Sequence, residues 1–191
     1  MSTTLRAFVA VELPDDVRSR AAELERLLGK SDAEVKWVAA ANLHITLSFL
    51  GDVDIKATAD IGGALDEACS RFAPFTLELA GAGAFGPPNR PRTLWLGAKA
   101  GAERMIELHD AIETALQPLG FRPEGRRFQP HVTIGRVRRP PRGDSLTKLL
   151  GQHADFSAGE ADVDEVVLFS SELEPQGPTY TALARARLKG E

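Results

Sequence analysis

Residues 43–50 of the chain read LHITLSFL, and residues 131–137 read HVTIGRV. Both runs are apolar and β-branched enough to predict buried strands, and each contains a histidine, an apolar residue, a threonine and a second apolar residue. The two copies, His44-Ile45-Thr46-Leu47 and His131-Val132-Thr133-Ile134, lie nearly half of the 191-residue chain apart. That separation indicates an internal duplication, with one copy of the motif in each of two lobes.

The spacing within each motif has a chemical meaning. Residues i and i+2 of a strand face the same side, so His44 and Thr46 point together, as do His131 and Thr133. Two such pairs facing across a cleft would surround a phosphate with two hydroxyls and two imidazoles. Because an unperturbed imidazole titrates near pH 6.5, one can accept a proton while the other donates one. These four residues are therefore the candidate catalytic and phosphate-binding residues.

A single histidine on a strand is more often structural than catalytic, and the repeat is what favours function. The chain has four histidines, and two of them fall in the same four-residue frame. The other two, His109 in a predicted helix and His153 near a helix end, are interpreted as ordinary residues. Cys69, the one cysteine, is expected to be a small core residue of a helix rather than a nucleophile.

Other site chemistries are absent from the sequence. There is no glycine-rich loop ending in lysine, as in a phosphate-binding loop, and no GxSxG nucleophile motif. No HExxH or DxD motif is present, and neither HxT copy offers a second ligand type at i+2. We therefore expect no catalytic metal and no cofactor.

Outward from the motifs, strand-like and helical runs follow one another without a regular βαβ rhythm. This order predicts an α+β architecture with largely antiparallel sheets in residues 1–191, a length that suits one domain with two lobes. Gly51 and Asp52 are expected to break the strand that carries the first motif. Closing strands are expected over Val163–Ser170 and Thr179–Leu188.

The net charge of −4 gives no global signature of nucleic-acid binding, but charge is uneven along the chain. The segment from Arg122 to Arg142 holds seven arginines against one acidic residue, Glu124: these are Arg122, Arg126, Arg127, Arg136, Arg138, Arg139 and Arg142. A segment this basic predicts a local positive surface. The alternative is a solvated loop.

Residence in the cytoplasm is expected. A single cysteine cannot form an internal disulfide, so the chain needs no oxidising compartment. Met1–Arg6 leads straight into a strand-like run without a signal peptide, and no apolar segment is long enough to cross a membrane. We expect no membrane partner and a monomer.

The motifs and their flanks resemble those of the 2H phosphoesterases, in particular the bacterial and archaeal RNA 2′,3′-cyclic phosphodiesterases, once called 2′-5′ RNA ligases. The resemblance covers nearly the whole chain and includes both HxT motifs without departure. Its five segments are RAFVAVELP (6–14), KWVAAANLHITLSFLGDV (36–53), FGPPNRPRTLWLGA (85–98), FQPHVTIGRV (128–137) and LFSSELEPQGPTYTAL (168–183).

The resemblance implies a bilobal α+β fold in which two antiparallel sheets, with helices outside, line a central cleft. It implies hydrolysis of an RNA 2′,3′-cyclic phosphate to a 2′-phosphate, with His131 as base and His44 as acid. Thr46 and Thr133 would hold the non-bridging oxygens. Arg136 would neutralise the phosphate, which requires a bend near Gly135 because residues i and i+3 of a flat strand face opposite sides.

Three questions stay open at this point. The same residues would serve a 2′-5′ RNA ligase that joins tRNA halves, and related substrates include other small cyclic nucleotides. A non-catalytic RNA-binding module is a further alternative, although binding alone would not require the histidines. Phe8 or Phe49 could stack on a base, but we expect both to pack in the core.

Overall fold

A computed structural model of the chain describes residues 3–191, so Met1 and Ser2 of the predicted lead-in segment lie outside the described residues. Within this range the chain forms nine strands and four α-helices. The strands are β1 (Thr4–Glu12), β2 (Glu34–Trp37), β3 (His44–Asp54), β4 (Phe75–Phe85), β5 (Thr93–Ala98), β6 (His131–Arg139), β7 (Ser157–Val163), β8 (Glu165–Glu174) and β9 (Gly177–Arg187). The helices are α1 (Asp15–Leu28), α2 (Thr58–Cys69), α3 (Ala102–Leu116) and α4 (Ser145–Gln152).

The strands form two antiparallel sheets. One has the order β3-β1-β8-β9 and the other the order β2-β6-β5-β4-β7. The α+β architecture with antiparallel sheets is confirmed. Each sheet carries one HxT motif, on β3 at the edge of the first sheet and on β6 next to the edge of the second.

The apolar residues of both motifs enter the main core, as the alternation of side chains predicts. Ile45, Leu47, Val132 and Ile134 are all buried there. Strand β1 divides its residues in the same way. Its odd-numbered residues pack in the main core, whereas Phe8 and Ala10 belong to a second cluster, on the other face of the sheet, with Val167 and Phe169. The first sheet therefore has an apolar patch on the face that carries His44.

The helices cover the core with one apolar face each. In α1 the buried residues Val17, Ala21, Leu24 and Leu28 recur at helical spacing, and Asp15 and Asp16 complement the helix dipole in its first turn. Cys69 is buried at the end of α2, as expected, and burial raises the pKa of its thiol to about 12. Within residues 3–191, no helix combines the length and the apolar composition needed to span a lipid bilayer.

Two predicted element boundaries are wrong. Gly51 and Asp52 do not end the first motif's strand, because β3 continues to Asp54. Gly51 has a φ of +70° and follows an irregularity in which Leu50 has no partner on β1. The expected strand Val163–Ser170 starts too early and ends too early, because Val163 is the last residue of β7 and β8 runs over Glu165–Glu174. Strand β7 itself was not predicted. Strand β7 reads SAGEADV, which has little β propensity, and its pairing with β4 stabilises it instead.

A glycine–tryptophan contact shapes the second sheet. Gly83 on β4 lies opposite Trp95 on β5, and a Cβ at Gly83 would lie 2.2 Å from the indole ring. The Trp95 ring in turn packs against Phe85, with ring centroids 5.6 Å apart. The absence of a side chain at Gly83 thus leaves the space that the indole fills.

Replacing Gly83 by alanine should therefore destabilise the protein. Overpacking of this kind costs about 1–3 kcal/mol of unfolding free energy. Gly63 is the matched control, because it lies within α2 and a Cβ there would meet no atom within 4 Å. Gly63→Ala should raise stability by about 0.5–1 kcal/mol through helix propensity. Urea denaturation of both variants checks this, and equal stabilities would contradict it.

Candidate active site

A cleft of about 560 Å³ is lined by residues of both sheets. The five predicted site residues, His44, Thr46, His131, Thr133 and Arg136, all line it. The first two lie on β3 and the other three on β6, so each sheet supplies one imidazole and one hydroxyl. The structure thus brings together every residue that sequence reasoning singled out as catalytic or phosphate-binding.

The imidazole of His44 is fixed at both nitrogens. Its Nδ1 lies 2.7 Å from the carbonyl oxygen of Asn42, and its Nε2 lies 2.9 Å from the hydroxyl oxygen of Thr46. The Asn42 side chain in turn donates a hydrogen bond of 2.9 Å to the carbonyl oxygen of Pro178 on β9. His44 therefore has a defined orientation relative to both its own strand and the far side of its sheet.

The imidazole of His131 has the same contact at Nδ1 as that of His44. Its Nδ1 lies 2.7 Å from the carbonyl oxygen of Gln129, two residues earlier, as Asn42 is two residues before His44. Within residues 3–191 its Nε2 has no hydrogen-bond partner. The two imidazoles thus share the contact at Nδ1 and differ at Nε2.

The shared contact determines the tautomer of both rings. A carbonyl oxygen can only accept, so Nδ1 carries the hydrogen in each neutral imidazole and Nε2 presents its lone pair. The Thr46 hydroxyl can donate to that lone pair in His44. Each ring therefore offers Nε2 to the cleft as a proton acceptor when neutral and as a proton donor when protonated.

Burial lowers the pKa of both imidazoles below the usual value near 6.5. For His44 the Asn42 carbonyl opposes this shift, and the charges of Arg18 and His131 add to it. For His131 the Gln129 carbonyl opposes it, and the charge of Arg136 adds to it. Both imidazoles line the same cleft, so a charge on His131 disfavours a charge on His44.

A bulge follows the threonine in both motifs. Between β1 and β3 the register skips Leu47, because Val9 pairs with Ser48 and Ala10 with Thr46. Between β5 and β6 it skips Ile134, because Leu94 pairs with Gly135 and Trp95 with Thr133. An extra residue reverses the alternation of side chains beyond it.

The bulges explain which residues beyond the threonines reach the cleft. Arg136, three residues after Thr133, faces the cleft because the bend that it requires lies at Ile134, beside the expected Gly135. Phe49, three residues after Thr46, faces the cleft for the same reason, and its side chain is 64% exposed. The expectation that Phe49 packs in the core is therefore wrong.

Residues at equal distances from the two histidines have similar positions on β3 and β6. Gly51 and Arg138, each seven residues after its histidine, also line the cleft. Counted from the histidine as position 0, positions 2, 5 and 7 of both strands line the cleft. Position 5 is aromatic on β3 (Phe49) and cationic on β6 (Arg136). These features support the proposal that residues 1–191 form one domain with two pseudo-symmetric lobes.

Aromatic rings surround both imidazoles. The His44 ring lies 5.0 Å from Phe8 and 5.4 Å, edge to face, from Tyr180, between ring centroids. The His131 ring lies 4.8 Å, edge to face, from Phe85. Phe8 is 4% exposed and packs in the second cluster, so it is buried as expected but supports the cleft rather than the main core. These rings supply the desolvation that lowers the pKa of the histidines.

The polar cleft residues that sequence reasoning missed include three cations and a tyrosine, namely Arg6 on β1, Lys36 on β2, Arg138 on β6 and Tyr180 on β9. Of these, only Arg138 could have been predicted from the sequence. It belongs to the basic segment, and it lies two residues after Arg136 on the same strand, so both side chains are expected on the same face. The placement of the other three depends on which strands pair, and the pairing of β2 with β6 joins residues about a hundred positions apart.

The arginines of the basic segment from Arg122 to Arg142 lie in different surroundings. Of its seven arginines, Arg136 and Arg138 line the cleft. Arg139 forms an ion pair with Glu34, and Arg126 lies 4.0 Å from Glu124. The cleft thus receives two of the seven arginines, both from β6.

The remaining histidines lie away from the cleft lining. His109 stacks on Phe128 with ring centroids 4.1 Å apart, and His153 caps the C-terminus of α4. Within residues 3–191, no three side chains from histidine, cysteine, aspartate and glutamate come together in a group that could hold a metal ion.

Comparison with known protein families identifies the family of the chain. The family model described as the 2′-5′ RNA ligase superfamily matches residues 9–174. Several relatives are named RNA 2′,3′-cyclic phosphodiesterase, among them proteins of two archaea. The one from Methanothermobacter thermautotrophicus is 37% identical over 96% of this chain and 99% of its own. The one from Aeropyrum pernix is 38% identical over 86% of this chain and 92% of its own.

Solved structures share the fold. The Thermus thermophilus protein TT0787 superposes with a TM-score of 0.82, at 29% identity, over 98% of this chain and 100% of its own. E. coli LigT, crystallised in complex with 3′-AMP, superposes with a TM-score of 0.76, at 28% identity, over 97% of this chain and 99% of its own.

The site geometry predicts how the two imidazoles titrate. Because burial favours the neutral form, both His44 and His131 should have pKa values below about 6.5, and both neutral rings should carry the hydrogen on Nδ1. Inorganic phosphate should raise both values, since its negative charge favours imidazolium. Nitrogen NMR over a pH titration, with and without phosphate, measures the pKa and the tautomer. A value above that of free imidazole without phosphate would contradict the argument.

Proposed function

The chain belongs to the 2′-5′ RNA ligase superfamily, and on that premise we propose that it is an RNA 2′,3′-cyclic phosphodiesterase, which opens a terminal 2′,3′-cyclic phosphate to a 2′-phosphate. One observation carries the proposal. Two imidazoles, each held at Nδ1 by a backbone carbonyl 2.7 Å away, line one cleft with a threonine two residues along the same strand. The names of the relatives supply the substrate.

The reaction needs one base and one acid on opposite sides of phosphorus. Water forms a bond to phosphorus as the bond to the 3′ oxygen breaks, and its proton passes to Nε2 of His131. A proton on Nε2 of His44 passes to the departing 3′ oxygen. His131 suits the role of base because its Nε2 has no partner in residues 3–191, whereas the Nε2 of His44 already contacts Thr46. Exchange of one proton with solvent at each ring restores the starting state.

Substrate binding prepares the acid. Both imidazoles have lowered pKa values, so the neutral form of each dominates in the empty cleft near pH 7. The negative charge of a bound cyclic phosphate favours imidazolium and raises the pKa of the nearby ring. The protonated ring is thus favoured when a substrate is present to receive its proton.

The threonines and Arg136 have an electrostatic role in this scheme. The hydroxyls of Thr46 and Thr133 donate to the non-bridging oxygens, and the Arg136 guanidinium balances the charge that grows on them. Both proton transfers and the charge stabilisation are assigned to side chains of the cleft, so no step requires a metal ion.

The proposal also covers the oligomeric state and the cellular location of the protein. One copy of the chain supplies all the residues assigned to the site, so a monomer suffices, which light scattering would test. We propose a cytoplasmic location, as the sequence suggests, and fractionation of cells that express the protein would test it.

Removing either imidazole should abolish most turnover. General acid–base groups contribute about 10²–10⁴-fold each, so His44→Ala and His131→Ala should each lower kcat by that factor. The double variant should lose little more than the worse single one, because the two groups act as a unit. His153→Ala, which alters a histidine outside the cleft, is the control and should keep wild-type rates. A near-normal rate in either single variant would remove that residue from the mechanism.

The product tests the proposed function as a whole. An oligonucleotide ending in a 2′,3′-cyclic phosphate, incubated with the protein in excess EDTA, should yield a terminal 2′-phosphate and a 3′-hydroxyl, identified by phosphorus NMR. A 3′-phosphate would reverse the orientation of the substrate. Activity that is lost in EDTA and restored by a divalent ion would refute the metal-free scheme. Joining to an added RNA with a 5′-hydroxyl would identify a ligase, and binding without turnover a non-catalytic module.

A further inference from the structure

Four cations line the cleft, and none of them has a counterion. Arg6, Lys36, Arg136 and Arg138 take part in no ion pair within residues 3–191, and no aspartate or glutamate from that range lines the cleft. Glu34 on β2 lies nearby, but its carboxylate pairs with Arg139. The protein as a whole carries a net charge of −4, so this concentration of positive charge is local.

Three of the cations lie close together on the second sheet. Lys36 on β2 lies directly opposite Arg136 on β6, which places both side chains on the same face of the second sheet. Arg138 lies two residues farther, about 7 Å along the strand. The proposed mechanism uses Arg136 at the reacting phosphate and leaves Lys36 and Arg138 without a role. Arg6 lies opposite Asp52 on β3, so its charge has a carboxylate as a neighbour in the sheet.

Exposed apolar side chains of the first sheet also line the cleft. Phe49 and Leu173 are 64% and 79% exposed, the highest values among the large apolar side chains of residues 3–191. They share that sheet with the cation Arg6 on β1. Exposed apolar side chains together with cations match the chemistry of a nucleotide strand, which has a charged backbone and stacking bases.

The cleft lining also includes neutral residues, namely Val38, Ala39, Asn42 and Pro178. The Asn42 side chain donates a hydrogen bond of 2.9 Å to the Pro178 carbonyl on β9. Pro178 lies directly opposite Leu173 on β8. The exposed Leu173 side chain therefore lies beside the segment that leads into His44.

We propose that Lys36 and Arg138 bind the phosphate on the 5′ side of the substrate's terminal nucleotide, while Phe49 and Leu173 contact the bases of the RNA strand that leaves the cleft. The inference rests on the proposed function, since it takes the cyclic phosphate to lie between the histidines. It adds a second phosphate subsite to the cleft. The preferred substrate is accordingly an RNA end rather than a cyclic mononucleotide.

The test compares three substrates: adenosine 2′,3′-cyclic phosphate, the same compound with a 5′-phosphate, and a diadenosine dinucleotide with the same cyclic end. The wild-type protein should show kcat/KM about tenfold higher for the second than for the first, as for one charge-assisted contact. The gain should shrink with added salt, because exposed charges are screened. The dinucleotide should gain at least as much, since its internal phosphate occupies the same subsite and its additional base meets Phe49 and Leu173.

The variants are judged by the ratio of kcat/KM between the phosphorylated and unphosphorylated nucleotides. Lys36→Ala and Arg138→Ala should each lower that ratio several-fold, and the double variant should bring it near one. Lys30→Ala and Arg122→Ala, which remove exposed cations outside the cleft lining, are the matched controls and should keep it. If an alanine variant has a lowered Tm, Lys36→Gln and Arg138→Gln replace it with less change in side-chain volume.

Each outcome decides one point. No gain from the 5′-phosphate in the wild-type protein, or a gain that survives in the double variant, overturns the subsite while hydrolysis of the cyclic phosphate still supports the proposed function. A wild-type protein that hydrolyses none of the three substrates refutes the proposed function itself. A gain that appears with the 5′-phosphate but not with the dinucleotide also overturns the inference, because it would identify a mononucleotide site.

Discussion

The extra residue after each threonine is the constraint on which the cleft depends. In a regular strand the side chains at positions 2 and 5 of the motif would face opposite sides, and position 5 would enter the core. The bulges at Leu47 and Ile134 reverse that parity, so the same strands deliver both the threonines and the residues beyond them to one surface. On β3 the bulge is secured from behind, where Ser48 donates a buried hydrogen bond of 2.6 Å to Glu113 on α3. That contact fixes which side of the strand faces the core just where the alternation changes.

The bulges also explain which side-chain positions could be predicted from the sequence and which could not. The period-2 pattern correctly assigned Ile45, Leu47, Val132 and Ile134 to the core, and His44 and His131 to the opposite face. Beyond the bulges the same rule failed, and Phe49 was expected in the core. For Arg136, whose role the family resemblance implied, a bend near Gly135 was expected, and the bulge at Ile134 supplies it. Lys36 and Leu173 had no local signal, since their positions depend on long-range strand pairing.

The distribution of charge gives the protein two unlike surfaces. The cleft gathers Arg6, Lys36, Arg136 and Arg138 without a lining carboxylate from residues 3–191. A shallow groove elsewhere, at the junction of β1, α1, β7 and β8, gathers acidic residues, namely Glu12, Asp16, Glu160, Asp162, Asp164 and Glu165. An anionic ligand approaching the molecule is repelled from the second surface and attracted to the first. A modest overall negative charge is therefore compatible with a site for a polyanion.

The hydrogen bond between the Asn42 side chain and the Pro178 carbonyl has a consequence for the rigidity of His44. The backbone carbonyl of Asn42 holds Nδ1 of that imidazole, and the side chain of the same residue is held by β9. The hairpin of β8 and β9 contains none of the predicted site residues, yet it is one residue away from the imidazole. The orientation of the ring is thus coupled mechanically to a part of the chain more than 130 positions away.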